Sequence, residues 1–168
     1  QIGQLVNLSN LVDNWLFFQA IGGFDNSNKN VYYAARNENG NYRGYFIPWD
    51  LNISFGAVYA DNKYYAEETL EETGTQVQFE PGCRAIALDA DHARALAKEK
   101  WEDWKEKAFT TEALLERAQH LQQELTGSGA MAREMERWPG GNASTDLSLL
   151  TEFTKQRMAY MDSMIDGL

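Results

Sequence analysis

The run Val31-Tyr32-Tyr33-Ala34-Ala35-Arg36, the turn Asn37-Glu38-Asn39-Gly40 and the answering run Tyr42-Arg43-Gly44-Tyr45-Phe46-Ile47 decide how this chain folds. β-Branched and aromatic residues on both sides of an Asn-Gly pair are the strongest short-range signal of a β-hairpin, because tight hairpin turns need residues that accept φ > 0. Pro48 closes the second run, since it has no N–H to give to a ladder. Trp49 and Asp50 therefore stand at a strand end, where functional loops begin.

Working outward, the apolar residues Leu8, Leu11, Val12, Trp15, Leu16, Phe17, Phe18 and Ile21 predict a helix from about Leu5 to Ile21, buried on most of its surface and stopped by Gly22-Gly23. Asp25 follows that stop, and Asn30 lies just before the hairpin. A hairpin returns the chain, so the carboxylate of Asp50 is expected to meet Asp25 and Asn30 in one pocket. Phosphoryl transfer needs such a set: a carboxylate near the acceptor hydroxyl, and hard oxygen ligands that hold Mg²⁺ against phosphates. Asp25 suits the first task, and Asn30 and Asp50 suit the second. An Asp-x-x-x-x-Asn pair, a hairpin and an Asp is also the order of protein-kinase machinery along a chain. On spacing alone the same stretch, Gly22-Gly23-Phe24-Asp25-Asn26-Ser27-Asn28, reads more readily as an ordinary helix-to-strand turn, because an Asp-x-x-x-x-Asn pair is a weak motif.

The surrounding text resembles the CotH kinase family, the spore-coat protein H group of atypical kinases. The matching pieces are Leu11-Val12-Asp13-Asn14-Trp15-Leu16, then Asp25 with Lys29-Asn30-Val31-Tyr32-Tyr33, then Tyr45-Phe46-Ile47-Pro48-Trp49-Asp50-Leu51-Asn52 closing on Ser54-Phe55-Gly56. Glu136-Arg137-Trp138 and a last helix with Phe153, Arg157 and Met158 are similar to the family's C-terminal helical region. The resemblance implies Asp25 as catalytic aspartate, Asn30 and Asp50 as metal ligands for Mg²⁺ or Mn²⁺, and ATP as phosphoryl donor. It implies a protein substrate, with Ser or Thr of a spore-coat or surface protein as acceptor, and a location in the spore coat or at the cell surface. Two departures stand out. The family's second acid after Trp-Asp is Asn52 here, a neutral oxygen ligand if it coordinates at all. The family's N-terminal lobe, with its nucleotide-holding lysine and phosphate-covering loop, has no counterpart before this first helix, so ATP is expected to require that lobe. Gly127-Ser128-Gly129 lacks the Gly-Lys-Ser/Thr ending of a phosphate loop and reads as a helix cap and turn.

Composition narrows the partners. The 168 residues are 43% hydrophobic, enough for one compact domain with a core. A net charge of −10 argues against nucleic acid, whose phosphates need clustered Lys and Arg. It argues against an anionic membrane surface as well, and no apolar run is long enough for membrane insertion. The single Cys83 excludes an intrachain disulfide and a thiolate zinc cluster. His92 and His120 sit apart in helix-like sequence, which leaves oxygen as the expected metal donor.

The chain is read as one domain, 1–168, in three parts. Residues 1–56 hold the helix, the loop and the hairpin; 57–87 form an acidic irregular stretch, either a lid-like loop or a solvated excursion; 88–168 are helical. Helices are expected over Leu88 to Lys107, from a cap at Thr110 or Thr111 to Gly127, over Ala130 to Trp138, and from about Ser144 or Thr145 onward. The five tryptophans are expected to fill joints between elements, and Met158, Met161 and Met164 to pack in the core. The fold class is α+β, mostly helical, with a small antiparallel sheet and a helical bundle resembling the C-terminal lobe of a kinase-like fold. Three functions remain open: the catalytic lobe of an ATP-dependent kinase, a non-catalytic interaction module, and a metal-dependent hydrolase. The last lacks a histidine or second acid to complete a two-metal site.

Overall fold

Among the described residues six α-helices and two antiparallel hairpins follow one another as α1 (Leu8–Ile21), β1 (Val31–Glu38), β2 (Asn41–Pro48), β3 (Val58–Ala60), β4 (Lys63–Tyr65), α2 (Glu80–Ala87), α3 (Ala93–Lys107), α4 (Thr111–Gly127), α5 (Ala130–Arg137) and α6 (Ser148–Asp166). The computed structural model describes residues 2–27, 29–60, 63–65, 73–141 and 144–168, with the backbone alone for 58–60 and 63–65. The architecture is α+β and mostly helical, as the sequence predicts. No helix among the described residues is long and apolar enough to cross a membrane.

The core is built around α1. Leu11, Val12, Trp15, Leu16, Phe18 and Ile21 are all buried. A helix apolar around most of its circumference must be enclosed, and β2, α2, α3 and α6 enclose it. The helix opens at Leu8 rather than near Leu5, because Ile2–Gln4 form a 3-10 turn and Val6 bridges to Gly44 of β2. Asn7 caps the start, its Oδ1 accepting the Asn10 N–H at 2.9 Å.

β1 and β2 pair from Val31↔Pro48 to Glu38↔Asn41. The turn residues Asn39 and Gly40 take φ of 55° and 91°, the left-handed geometry the Asn-Gly pair signals. Side-chain amides clip this hairpin to α1. Asn10 accepts the Phe46 N–H at 2.7 Å and donates to the Phe46 carbonyl at 3.2 Å, and Asn14 donates to the same carbonyl at 3.1 Å. The Phe46 ring meets Phe79 edge-on, and Phe79 meets Phe18 in the same way.

Four expectations are corrected. The stretch 57–87 is not irregular throughout: β3 and β4 pair within it, and Glu80–Ala87 form α2. Pro81 suits the first turn of a helix, and Gly82 lets α2 approach α1, since a Cβ there would lie 2.6 Å from the Cβ of Trp15. The lid reading itself falls largely on residues 61–62 and 66–72, outside the described residues. The expected helix from Leu88 to Lys107 is broken at its start, because Asp89, Asp91 and His92 take left-handed φ of 48°, 50° and 65°. Arg94 reaches back to cap α2, donating to the Ile86 and Ala87 carbonyls at 2.9 and 2.8 Å. The last helix opens at Ser148 rather than Ser144 or Thr145, where Asp146 Oδ1 accepts the Ser148 N–H at 2.8 Å. Of the tryptophans, Trp15 and Trp101 are buried in joints, but Trp49 and Trp138 are 58% and 59% exposed.

The helical half matches more closely. Thr110 caps α4 through the Ala113 N–H at 3.1 Å, and α4 ends at Gly127. Met158 and Met161 are buried, with Met164 packed against the same core. Trp101 donates its indole N–H to Asp162 Oδ1 at 2.9 Å, joining α3 to α6.

Candidate functional site

The loop between α1 and β1 begins at Gly22, whose φ of 63° ends the helix. The N–H groups of Gly22 and Gly23 return to the last-turn carbonyls of Gln19 and Phe18 at 3.2 and 2.9 Å. Phe153 of α6 presses on this cap so closely that a Cβ on Gly22 would lie 2.7 Å from its Cζ. Phe24–Asn26 then make one 3-10 turn that carries Asp25.

Asn26 is fully buried and holds the two ends of the hairpin together. Its Nδ2 donates to the Asn30 carbonyl at 2.9 Å and to the Trp49 carbonyl at 2.8 Å, and the Trp49 N–H donates to the Asn30 carbonyl at 2.9 Å. The residue before β1 and the residue after β2 are therefore fastened face to face, and Asp50 follows directly. The turn beyond it folds back on the helix, with the Phe55 N–H on the Ile21 carbonyl at 2.7 Å.

Within this frame Asn30 Nδ2 donates to Asp25 Oδ2 at 2.6 Å, and Lys29 Nζ pairs with Asp25 Oδ1 at 2.8 Å. Asp25 is 20% exposed and Lys29 68%. The Asp25 carboxylate, through its hydrogen bond and its charge, raises the Lys29 pKa above the ordinary lysine value, and Asp50 adds to the effect. The structure thus joins Asp25 to Asn30 by a direct bond. It brings Asp50 to them through the Trp49 backbone and within electrostatic reach of the Lys29 ammonium. Asp50 is exposed, and so is Asn52 in the otherwise half-buried turn that follows it.

Asn30, Asp50 and Phe55 have φ of 57°, 53° and 50°. Left-handed backbone is uncommon outside glycine and is held in place only when the surroundings over-determine it, a pattern that gathers at functional sites. Among the described residues no group of three or more His, Cys, Asp or Glu could hold a metal ion. The donor set available here is mixed, a carboxamide with carboxylates. Asn30 spends an N–H on Asp25; a carboxamide oxygen and a carboxylate are the kind of hard oxygen donors that suit Mg²⁺ or Mn²⁺.

A family model described as CotH kinase protein matches residues 1–161. The chain belongs to the CotH kinase family. No curated protein and no solved structure matches it. In this CotH domain the Ile47-Pro48-Trp49-Asp50-Leu51 run is the end of β2 and the start of the turn closed by Phe55. Phe153 and Arg157, from the family-like C-terminal region, belong to α6 and lie behind the Asp25 loop.

Sequence reasoning names Lys29 and Arg157 only as family-like residues and Asn26 only as part of a turn, and gives none of the three a role at the site. Lys29 stands four residues after Asp25, a spacing that brings opposite charges together on a helical turn. For Asn26 and Arg157 the chain offers no local signal, since their partners are distant carbonyls.

Proposed function

We propose that this chain is the catalytic-loop and metal-binding lobe of an ATP-dependent protein kinase that phosphorylates Ser or Thr of spore-coat or cell-surface proteins. The observation that carries the reading is the 2.6 Å bond between Asn30 and Asp25, set beside a strand end that delivers Asp50. Asp25 orients the acceptor hydroxyl and takes its proton at a carboxylate oxygen. Asn30 holds that carboxylate in place with its N–H. Lys29 pairs with the other carboxylate oxygen at 2.8 Å and so fixes the second end of the group. A divalent cation bound by Asn30 and Asp50 would supply charge neutralisation for the phosphates. Tyr32 and Trp49, edge to face with centroids 5.3 Å apart and both more than half exposed, flank the same loop and offer a stacking surface for the nucleotide base.

The test is Mn²⁺ titrated into the protein and followed by electron paramagnetic resonance of the free ion. Asn30→Ala and Asp50→Ala are expected to abolish binding, while Asp25→Asn keeps the ion and, in a protein that also carries the nucleotide-holding lobe, loses phosphoryl transfer from Mn²⁺–ATP. Binding that survives in both ligand variants removes them from the metal site.

A non-catalytic interaction module is the second reading. It is favoured by Asn52 in place of an acid and by the engagement of both Asp25 oxygens by Lys29 and Asn30. That module would bind no Mn²⁺ in the same titration.

A further inference from the structure

We propose that Arg157 is a positioning residue for the Asp25 loop, a role that rests on the kinase reading above. Arg157 is fully buried on α6. Its hydrogen bonds all go to carbonyl oxygens: Nε to Gln19 O at 2.5 Å, Nη1 to Thr73 O and Thr75 O at 2.8 and 2.6 Å, and Nη2 to Gln19 Oε1 at 3.3 Å. Its guanidinium lies 4.6 Å from the centroid of the Tyr160 ring and 5.8 Å from that of Phe24. Burial pulls its pKa down to about 10, so the cation persists at neutral pH.

The placement of these partners gives the role. Gln19 is in the last turn of α1, and Phe24 directly precedes Asp25. Thr73 and Thr75 lead into Val77, whose N–H and carbonyl are both paired with the Gln19 side chain at 2.8 and 2.7 Å. One planar cation therefore fixes the helix end, the ring beside the aspartate and the segment that leads into α2. A buried charge met only by dipoles is costly compared with an apolar side chain of the same volume. What it gives in return is direction: with Gln19 O and the Phe24 ring fixed, residues 22–25 can leave α1 at one angle only. Lysine cannot reproduce this, because a single ammonium lacks the planar fork that reaches several carbonyls at once.

Arg157→Met and Arg157→Lys in the full chain test the assignment by amide hydrogen exchange and Mn²⁺ titration together. In Arg157→Met the amides from Gly23 to Asn30 are expected to lose protection while those of α4 keep theirs, and Mn²⁺ affinity is expected to fall about 10–100-fold, the usual cost of losing a group that orients a ligand. Arg157→Lys should recover part of both. Unchanged exchange in the loop, or a loss spread evenly over all helices, would overturn the role and leave Arg157 as a general cross-link. Should wild type bind no Mn²⁺, the metal assignment of Asn30 and Asp50 fails, and the exchange data still decide Arg157. If Arg157→Met does not fold, Phe24→Leu removes the ring under the guanidinium and is expected to expose the same amides; full protection in that variant would count against the proposal.

Discussion

Gly22 shows how one residue answers to two constraints of different origin. Its φ of 63° is a demand of the local chain, and the 2.7 Å approach of Phe153 is a demand of a helix at the other end of it. Gly22→Ala is expected to lower stability by about 1–3 kcal/mol from the backbone alone, with more from the displaced ring. Gly127→Ala, where a Cβ would meet nothing within 4 Å, should instead gain up to about 1 kcal/mol. Urea unfolding of both variants gives the comparison, and equal losses would remove Phe153 from the account. The glycine stop was legible because helix termination is written in neighbouring residues. So were Asp25, Asn30 and Asp50 as a set worth locating, since spacing around a hairpin limits where oxygens go. Lys29 is legible only as a counter-ion four residues beyond Asp25, because an ammonium has no lone pair to offer a metal.

At the level of elements, the hairpin owes its seat to polar clips rather than to a broad apolar face. One of these, at its open edge, should respond to acid. Tyr45 donates its hydroxyl to Glu38, Asn7 donates to both, and Arg43 stands 3.3 Å from the carboxylate. The Tyr45 hydrogen bond holds the Glu38 carboxyl below its ordinary range, helped by Asn7, Arg43 and Arg36. A carboxyl whose pKa is lowered on folding stabilises the fold above its unfolded value and ceases to do so as pH falls through the lowered one. The contribution should therefore be complete above a pH of about 4.3, the ordinary glutamate value, and fade below it. Melting temperature followed from neutral pH into acid should fall less steeply for Glu38→Gln than for wild type; parallel curves would show that the clasp carries no stability. The hairpin itself was plain in the sequence, whereas α2 was lost inside an acidic stretch despite Pro81 at its start. The break before α3 had no glycine or proline to announce it, because Asp89, Asp91 and His92 take left-handed geometry without either.

For the whole molecule, stability should concentrate where α1, α3 and α6 meet. Met161→Ala, at a fully buried position, is expected to cost about 2–5 kcal/mol. Met135→Ala on α5, 43% exposed, should stay within about 0.5 kcal/mol of wild type. Chemical denaturation separates the two, and similar values would mean that α5 belongs to the core. The class of fold and the family were readable from patterns along the chain. The arrangement that makes the site was not: Arg157 meets Thr73 and Gln19 only after folding, and no periodicity encodes which carbonyls a buried guanidinium will find.

The amides of α1 carry a further implication. Asn10 and Gln19 each give and receive at one main-chain position, on Phe46 and Val77, as a neighbouring strand would. An acid of the same outline could accept but not donate, so hydrolysis of either carboxamide would set a negative oxygen against a peptide oxygen without altering size. Loss of either amide would therefore open a seam of this protein, and the isosteric Asp and Glu replacements usually thought mild would act there like deletions.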